Sequence, residues 1–182
     1  MKLYPIDKSK PVKIDLGSGI NYYKGINDNE IDEWIHVDGD KAPHVEIVCD
    51  FAKGIPVETG IADEIHSSEV LEHIPPFLHD KIMKEFNRIM KIGCKCLFTV
   101  PNFEYTVREY YHGRMTYEIA QRNLFGDREN SYYHCHFQCF NKESATKFLE
   151  KYGFGNIDFS KSPGLPDIEW WLVIHCEKIK NL

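Results

Sequence analysis

The sequence predicts an α/β fold: a mainly parallel sheet carrying helices, with an antiparallel pair of strands at its edge. Three observations carry this. Early apolar runs end on an acid or a glycine, amphipathic helical stretches alternate with later runs, and two strand-like segments close the chain.

Val12 to Leu16 is an apolar run holding one acid, followed at once by Gly17-Ser18-Gly19, the pattern of a buried strand ending in a tight turn. Trp34 to Val37 and Val45 to Cys49 are two further strand-like runs, each followed by an aspartate. Asp63 to Val70 is more ambiguous and is read as a strand because Pro75-Pro76 and a clear helix follow. That helix spans Phe77 to Ile92, with Leu78, Ile82, Phe86, Ile89 and Met90 on one stripe and Gly93 as its stop. Lys95 to Val100 is a strand closed by Pro101-Asn102. A second helix is capped by Asn141 and carries Ala145, Phe148, Leu149 and Tyr152 at i, i+3, i+4 and i+7, before Gly153. Ile157 to Phe159 and Trp170 to Cys176 form the closing antiparallel pair, joined through Pro163-Gly164-Leu165-Pro166. About seven residues separate the second and third strands, too few for a crossover helix, and no helical stripe follows Gly19. The helical layer is therefore expected to be thin on that side.

At 182 residues the chain suits one domain, 1–182. With 28 acidic against 22 basic side chains, the net charge of −6 argues against a protein that grips phosphate backbones and favours small-molecule or carbohydrate chemistry. The N-terminus has no apolar h-region, and the longest apolar run near the C-terminus, Trp170 to Ile174, is five residues, so a soluble cytoplasmic protein is expected. The six cysteines are then expected to be reduced.

In open α/β sheets ligands bind at the carboxyl ends of the strands. Those ends here carry Asp15, Gly17, Ser18 and Gly19, then Asp38, then Asp50 with Phe51, then Ser67 to Glu69. The glycines let backbone turn and approach a ligand closely. The paired oxygens of Asp38 suit two vicinal ribose hydroxyls. Asp50 can accept from an exocyclic amine or cap a turn, and Phe51 can cover an adenine face. A dinucleotide fingerprint would need glycine at position 22, which is Tyr22, and Gly25 comes too late. No phosphate loop is present either, so the strand-end pattern suits a nucleoside ligand without phosphates.

Lys13-Ile14-Asp15-Leu16-Gly17-Ser18-Gly19 and Ser68-Glu69-Val70-Leu71-Glu72-His73-Ile74-Pro75 resemble the signature segments of class I S-adenosylmethionine-dependent methyltransferases. The small group that includes ubiquinone-biosynthesis-like enzymes is the most similar. The segment His136 to Phe154 is similar to that family's late helix and strand. The resemblance implies a Rossmann-like, doubly wound sheet of seven strands, with an antiparallel last strand inserted beside the fifth. It implies S-adenosyl-L-methionine as cofactor: Asp15, Gly17, Ser18 and Gly19 at its methionine end, Asp38 on ribose, Asp50 and Phe51 at adenine, Ser67 and Glu69 along the methionine. Asn21 stands where many relatives carry a third glycine. Residues 103–133, rich in Tyr, His and Arg, are expected to form a substrate-side insertion or lid, or to pack on the sheet edge.

Glu69, Glu72 and His73 place two carboxylates and an imidazole within five residues. With His134 or His136 they can chelate a divalent cation, and the pattern resembles one that some RNA 2′-O-methyltransferases and quinone O-methyltransferases use with magnesium or a similar ion. The reading preferred from sequence is that Glu72 and His73 fix the loop after the fourth strand. Cys135 and Cys139 should point away from His134 and His136 in an extended strand, which disfavours structural zinc. The expected activity is methyl transfer to oxygen or nitrogen of a small-molecule or glycan-type acceptor, with His73, His134 or His136 as candidate bases. The alternatives are a catalytically inactive methyltransferase-fold binding protein and a nicotinamide-dependent oxidoreductase.

Overall fold

The computed structural model describes residues 2–19, 33–127, 134–159 and 169–182. The strands are β1 (Lys13–Leu16), β2 (Trp34–Asp38), β3 (Ile47–Val48), β4 (Ala62–Ser68), β5 (Met90–Pro101), β6 (Phe154–Asp158) and β7 (Trp171–Lys178). They form one sheet in the order β3-β2-β1-β4-β5-β7-β6. β1 to β5 run parallel, and β7 lies antiparallel between β5 and β6. The order reverses between β1 and β4, the switch point where such sheets bind ligands.

The helices are α1 (His79–Ile89), α2 (Phe103–Tyr111), α3 (Tyr117–Phe125) and α4 (Lys142–Lys151). Among the described residues the helical layer is thin between β2 and β4, as expected. Residues 39–46 connect β2 to β3 without a helix, and only one short turn, Phe51–Lys53, lies between β3 and β4. The segment after Gly19, with Asn21, Tyr22 and Gly25, and the Pro163–Pro166 loop lie outside the described residues.

α1 begins two residues later than its apolar stripe suggests and ends at Ile89, three residues early. Met90 instead opens β5 opposite Ala62, and Gly93 takes a φ of +81°. Met90 is fully buried in this strand, as it would be on the helix stripe, so periodicity cannot separate the two outcomes. β4 stops at Ser68 rather than residue 70 because Glu69 turns to a φ of +53°. β3 shortens to Ile47–Val48, with Val48 exposed at the sheet edge.

The core is built from Ile14, Leu16, Val37, Ile65, Phe98 and Ile174 of the sheet, packed by Met83 and Phe86 of α1 and Leu149 of α4. Lys178 is buried within it at 2 % exposure. Its Nζ donates to the carbonyls of Asn87 and Met90, each at 2.8 Å, at the end of α1. Cations belong at that end of a helix, where carbonyls lack intrahelical partners. No helix among the described residues is long and apolar enough to cross a membrane.

Asn141 caps α4 as the sequence predicts. Its side chain accepts from Ser144 N–H at 2.9 Å, and Ser144 Oγ accepts from Asn141 N–H at 2.9 Å. Asn141→Ala removes half of this reciprocal pair and is expected to cost about 1 kcal/mol, roughly 2–4 °C of Tm. Thermal denaturation followed by circular dichroism checks it, and an unchanged Tm would mean that packing alone sets the start of α4.

Candidate active site

The carboxyl ends of β1, β2 and β4 meet in one rim. After Leu16 the chain turns through Gly17, whose φ is +76° and whose N–H donates to Val37 O at 2.8 Å. A Cβ at Gly17 would sit 2.3 Å from Val70 Cγ2, so only glycine lets this turn lie against the segment after β4. Gly19 N–H then donates to Asp38 Oδ2 at 2.8 Å, and Asp40 N–H to Asp38 Oδ1 at 2.8 Å. Asp38 is thus aimed at the glycine loop by two backbone donors, and each of its oxygens keeps a further lone pair. Ser18 Oγ is buried there with no partner. An orphaned hydroxyl at the switch point fits a polar ligand atom.

Asp15 sits one layer deeper than the sequence expectation. The register of β1 with β2 and β4 places it directly between His36 and His66, at 2 % exposure. His36 Nδ1 lies 3.1 Å from Asp15 Oδ2, and His66 Nδ1 lies 2.7 Å from Oδ1. Burial alone would raise the Asp15 carboxyl, but the bonds from His36 and His66 outweigh it and hold the group below the ordinary carboxylate range. Asp15 therefore braces the sheet beneath the loop rather than lining the loop itself. The signal for this triad was present in sequence: Ile14-Asp15, Ile35-His36 and Ile65-His66 put a polar group at the same place in three successive strands.

Asp50 and Phe51 have structural duties. Asp50 Oδ1 accepts from Ala52 N–H at 2.9 Å as the cap of a short turn, and the Phe51 ring packs edge-on against Phe86 at 5.3 Å. Ser67 Oγ donates to Leu16 O at 2.9 Å, tying β4 to β1. Glu69, exposed at its positive φ, accepts a hydrogen bond from Trp171 Nε1.

Glu72, His73 and His136 converge, with ligating atoms all within 4.8 Å of one another. Two backbone-directed bonds bring them together: Phe137 N–H donates to Glu72 O at 2.8 Å, and Gln138 Nε2 donates to Leu71 O at 2.9 Å. The His73 and His136 rings lie 4.7 Å apart, edge to face. Burial pushes the Glu72 carboxyl well above its ordinary range. It also pushes His73 down to about 4, with His136 adding to that effect, and lowers His136 as well. Both imidazoles are thereby neutral near pH 7. Glu69 and the exposed His134 stand outside this group, so of the two histidines offered to close the set it is His136 that joins Glu72 and His73.

α2 and α3 cover this side of the sheet. Asn102 caps α2 and Thr116 caps α3. Pro101, Phe103, Thr106, Asn123, His136 and Cys139 line a narrow gap beside these helices. Tyr105 is held by Trp170 Nε1 at 2.7 Å, whereas Tyr110, Tyr111 and Tyr117 are exposed. Part of the aromatic segment therefore packs and part faces solvent; Tyr132 and Tyr133 lie outside the described residues.

No curated protein matches the chain in sequence. Among solved structures, a methyltransferase from Thermotoga maritima described as a possible histamine N-methyltransferase shares 16 % identity and a TM-score of 0.59. That alignment covers 93 % of this chain and 82 % of the other. An S-adenosylmethionine-dependent methyltransferase from Archaeoglobus fulgidus shares 14 % identity and a TM-score of 0.59, over 94 % and 87 % of the two chains. Phosphoethanolamine N-methyltransferase 2 from Haemonchus contortus, in complex with S-adenosyl-L-methionine, shares 20 % identity and a TM-score of 0.52, over 87 % of this chain and 35 % of that one. These likenesses agree with the strand order and the antiparallel β7. Residues 5–158 match the model of a methyltransferase domain family, so the chain belongs to that family and has the class I S-adenosylmethionine-dependent methyltransferase fold.

Proposed function

We propose that the chain transfers the methyl group of S-adenosyl-L-methionine to an oxygen or nitrogen of a small-molecule or glycan-type acceptor. One observation carries the reading: Asp38 at the end of β2 is held against the glycine turn after β1 by the Gly19 N–H at 2.8 Å. This places a diol-accepting carboxylate and a close-approach backbone side by side at the switch point.

When bound, the cofactor supplies an electrophilic methyl on a sulfonium centre. Asp38 would hold the ribose hydroxyls, Gly17 and Gly19 would admit the ligand backbone-close, and the unpartnered Ser18 hydroxyl would meet a polar atom. The wall made by α2, α3 and the segment 134–139 would orient the acceptor and exclude water, and holding the two reactants in line can supply most of the rate gain. A protonated acceptor also needs a base. Of the three histidine candidates, His73 and His136 face each other within the wall, and His134 is exposed. The excess of acid over base, net −6, supports a small acceptor over nucleic acid. So do the small-amine names of two similar structures.

A thermal-shift titration tests the proposal. S-adenosyl-L-methionine or its demethylated product at about 100 times Kd should stabilise the fold by about 2.7 kcal/mol, roughly 5–10 °C in Tm. Asp38→Ala should lose that shift while folding normally, and NAD should give none. Silence with both sulfur ligands would remove the reading, and a shift with NAD would replace it with an oxidoreductase. Binding without methyl transfer to amine, phenol and sugar acceptors would instead leave a binding protein of this fold.

A further inference from the structure

We propose that Glu72, His73 and His136 form a binding site for a divalent transition-metal ion of the zinc or cobalt kind. The sequence alone favoured a loop-fixing role for Glu72 and His73; the geometry points beyond it in three ways.

The imidazoles are presented in the form that binds metal. His73 Nδ1 lies 3.0 Å from Cys135 O, and His136 Nδ1 lies 3.0 Å from Asn123 O. A carbonyl only accepts, so Nδ1 carries the proton on both rings and each Nε2 is left with its lone pair. Metal-ligating histidines are oriented in this way, the far nitrogen donating to a backbone carbonyl.

Glu72 is 1 % exposed, and neither carboxylate oxygen has a hydrogen bond among the described residues. A buried carboxyl without donor or acceptor is costly. If burial were all that this position required, leucine or glutamine would serve it better. A cation between Glu72 and the two Nε2 atoms satisfies all three at once.

The spacing is also close to that of a loaded site. Bonds of about 2.1 Å place neighbouring ligand atoms about 3–4 Å apart. The ligand atoms of the three residues already lie within 4.8 Å of one another, and the backbone is held by the Phe137-to-Glu72 and Gln138-to-Leu71 bonds.

Two imidazoles and one carboxylate select a borderline transition ion over magnesium or calcium, which take oxygen ligands. Three protein ligands leave coordination positions open. Because His136 also lines the narrow gap beside α2 and α3, those positions adjoin the wall proposed to orient the acceptor. An acceptor-binding role for the ion rests on the proposed methyl transfer; ion binding itself does not.

The test is metal binding by the chelator-treated full chain, with no cofactor or acceptor present. Cobalt should bind with one-to-one stoichiometry and give a visible d–d spectrum, zinc should displace it, and millimolar magnesium should not. Glu72→Gln and His136→Gln should each weaken cobalt binding at least about 100-fold. His134→Ala, Cys135→Ser and Cys139→Ser should leave it unchanged, which separates this site from exposed histidine and from thiols. Glu72→Gln replaces the buried carboxyl at constant shape, and a Tm at or above that of the metal-free parent shows that its loss of metal is not loss of fold. His73→Gln provides an independent second ligand variant. Absence of a stoichiometric ion, equal binding by the parent and the three glutamine variants, or displacement by magnesium would overturn the proposal. A thermal shift with S-adenosyl-L-methionine in a protein that binds no metal would overturn it while leaving the methyl-transfer reading standing.

Discussion

Asp15→Ala should destabilise the fold by about 3–5 kcal/mol at pH 7, roughly 6–20 °C in Tm, by the measure of two buried donors losing one charged acceptor. The carboxylate is 2 % exposed and is the shared partner of His36 and His66, themselves each 2 % exposed. Alanine leaves two buried ring N–H groups without an acceptor and a void beneath the glycine loop. Asp15→Asn should cost less, about 1–3 kcal/mol, since the amide oxygen still accepts from one ring and the amide NH₂ forces the other into its opposite tautomer. The pH dependence follows from the lowered carboxyl. A depressed acid contributes its stability above its ordinary value of 3.8 and loses it as pH falls through the folded-state value. The gap between parent and Asp15→Ala in chemical denaturation should therefore be full at pH 6–7 and narrow on acidification below about 4. A gap under about 1 kcal/mol at pH 7 would show that the histidines relax freely without it.

Gly126→Ala should have an effect of similar size, confined to one side of the molecule. Gly126 adopts φ +75° and ψ −175°, a region that glycine alone enters readily. A Cβ there would lie 1.9 Å from His134 O and 2.9 Å from His136 N, both backbone atoms that cannot rotate away. The clash falls between two hydrogen bonds that fasten the end of α3 to the segment carrying His136: Asp127 N–H to His134 O and His136 N–H to Phe125 O, each 3.0 Å. A cost of about 3 kcal/mol or more is expected. Local release should relieve it, since the seven-stranded sheet does not depend on this junction. Hydrogen exchange should show lost protection at the Asp127 and His136 amides with the sheet still protected, and cobalt binding should fall with them. Unchanged protection at His136 would mean that the segment shifts as a body and keeps its contacts.

Much of the fold was legible because it rests on local chemistry. The apolar runs at 12–16, 34–37 and 95–100 are strands because their side chains are buried on the sheet. Gly17 and Gly19 mark the end of β1 because their positive φ angles exclude most side chains. Asn141 announces α4 because its oxygen accepts from the N3 amide. At the end of α1 the boundary was not legible because both outcomes bury Met90. The lateral partners of Asp15 were not legible either. Asp15 looks like a loop acid in one dimension, and only the register of β2 and β4 sets an imidazole on either side of it.

By itself, then, the sequence determined the end of β1, the glycine turn, the Asp38 carboxylate at the end of the next strand and the family to which these belong, because each depends on residues close along the chain. Tertiary structure alone decided that Asp15 joins His36 and His66, that Phe51 packs on Phe86, and that Glu72 and His73 meet His136 while Glu69 and His134 do not. Those meetings depend on strand order and on the bonds joining segment 136–138 to segment 71–73. Periodicity reports which face a side chain occupies; only the closed sheet and its covering segments decide what stands opposite.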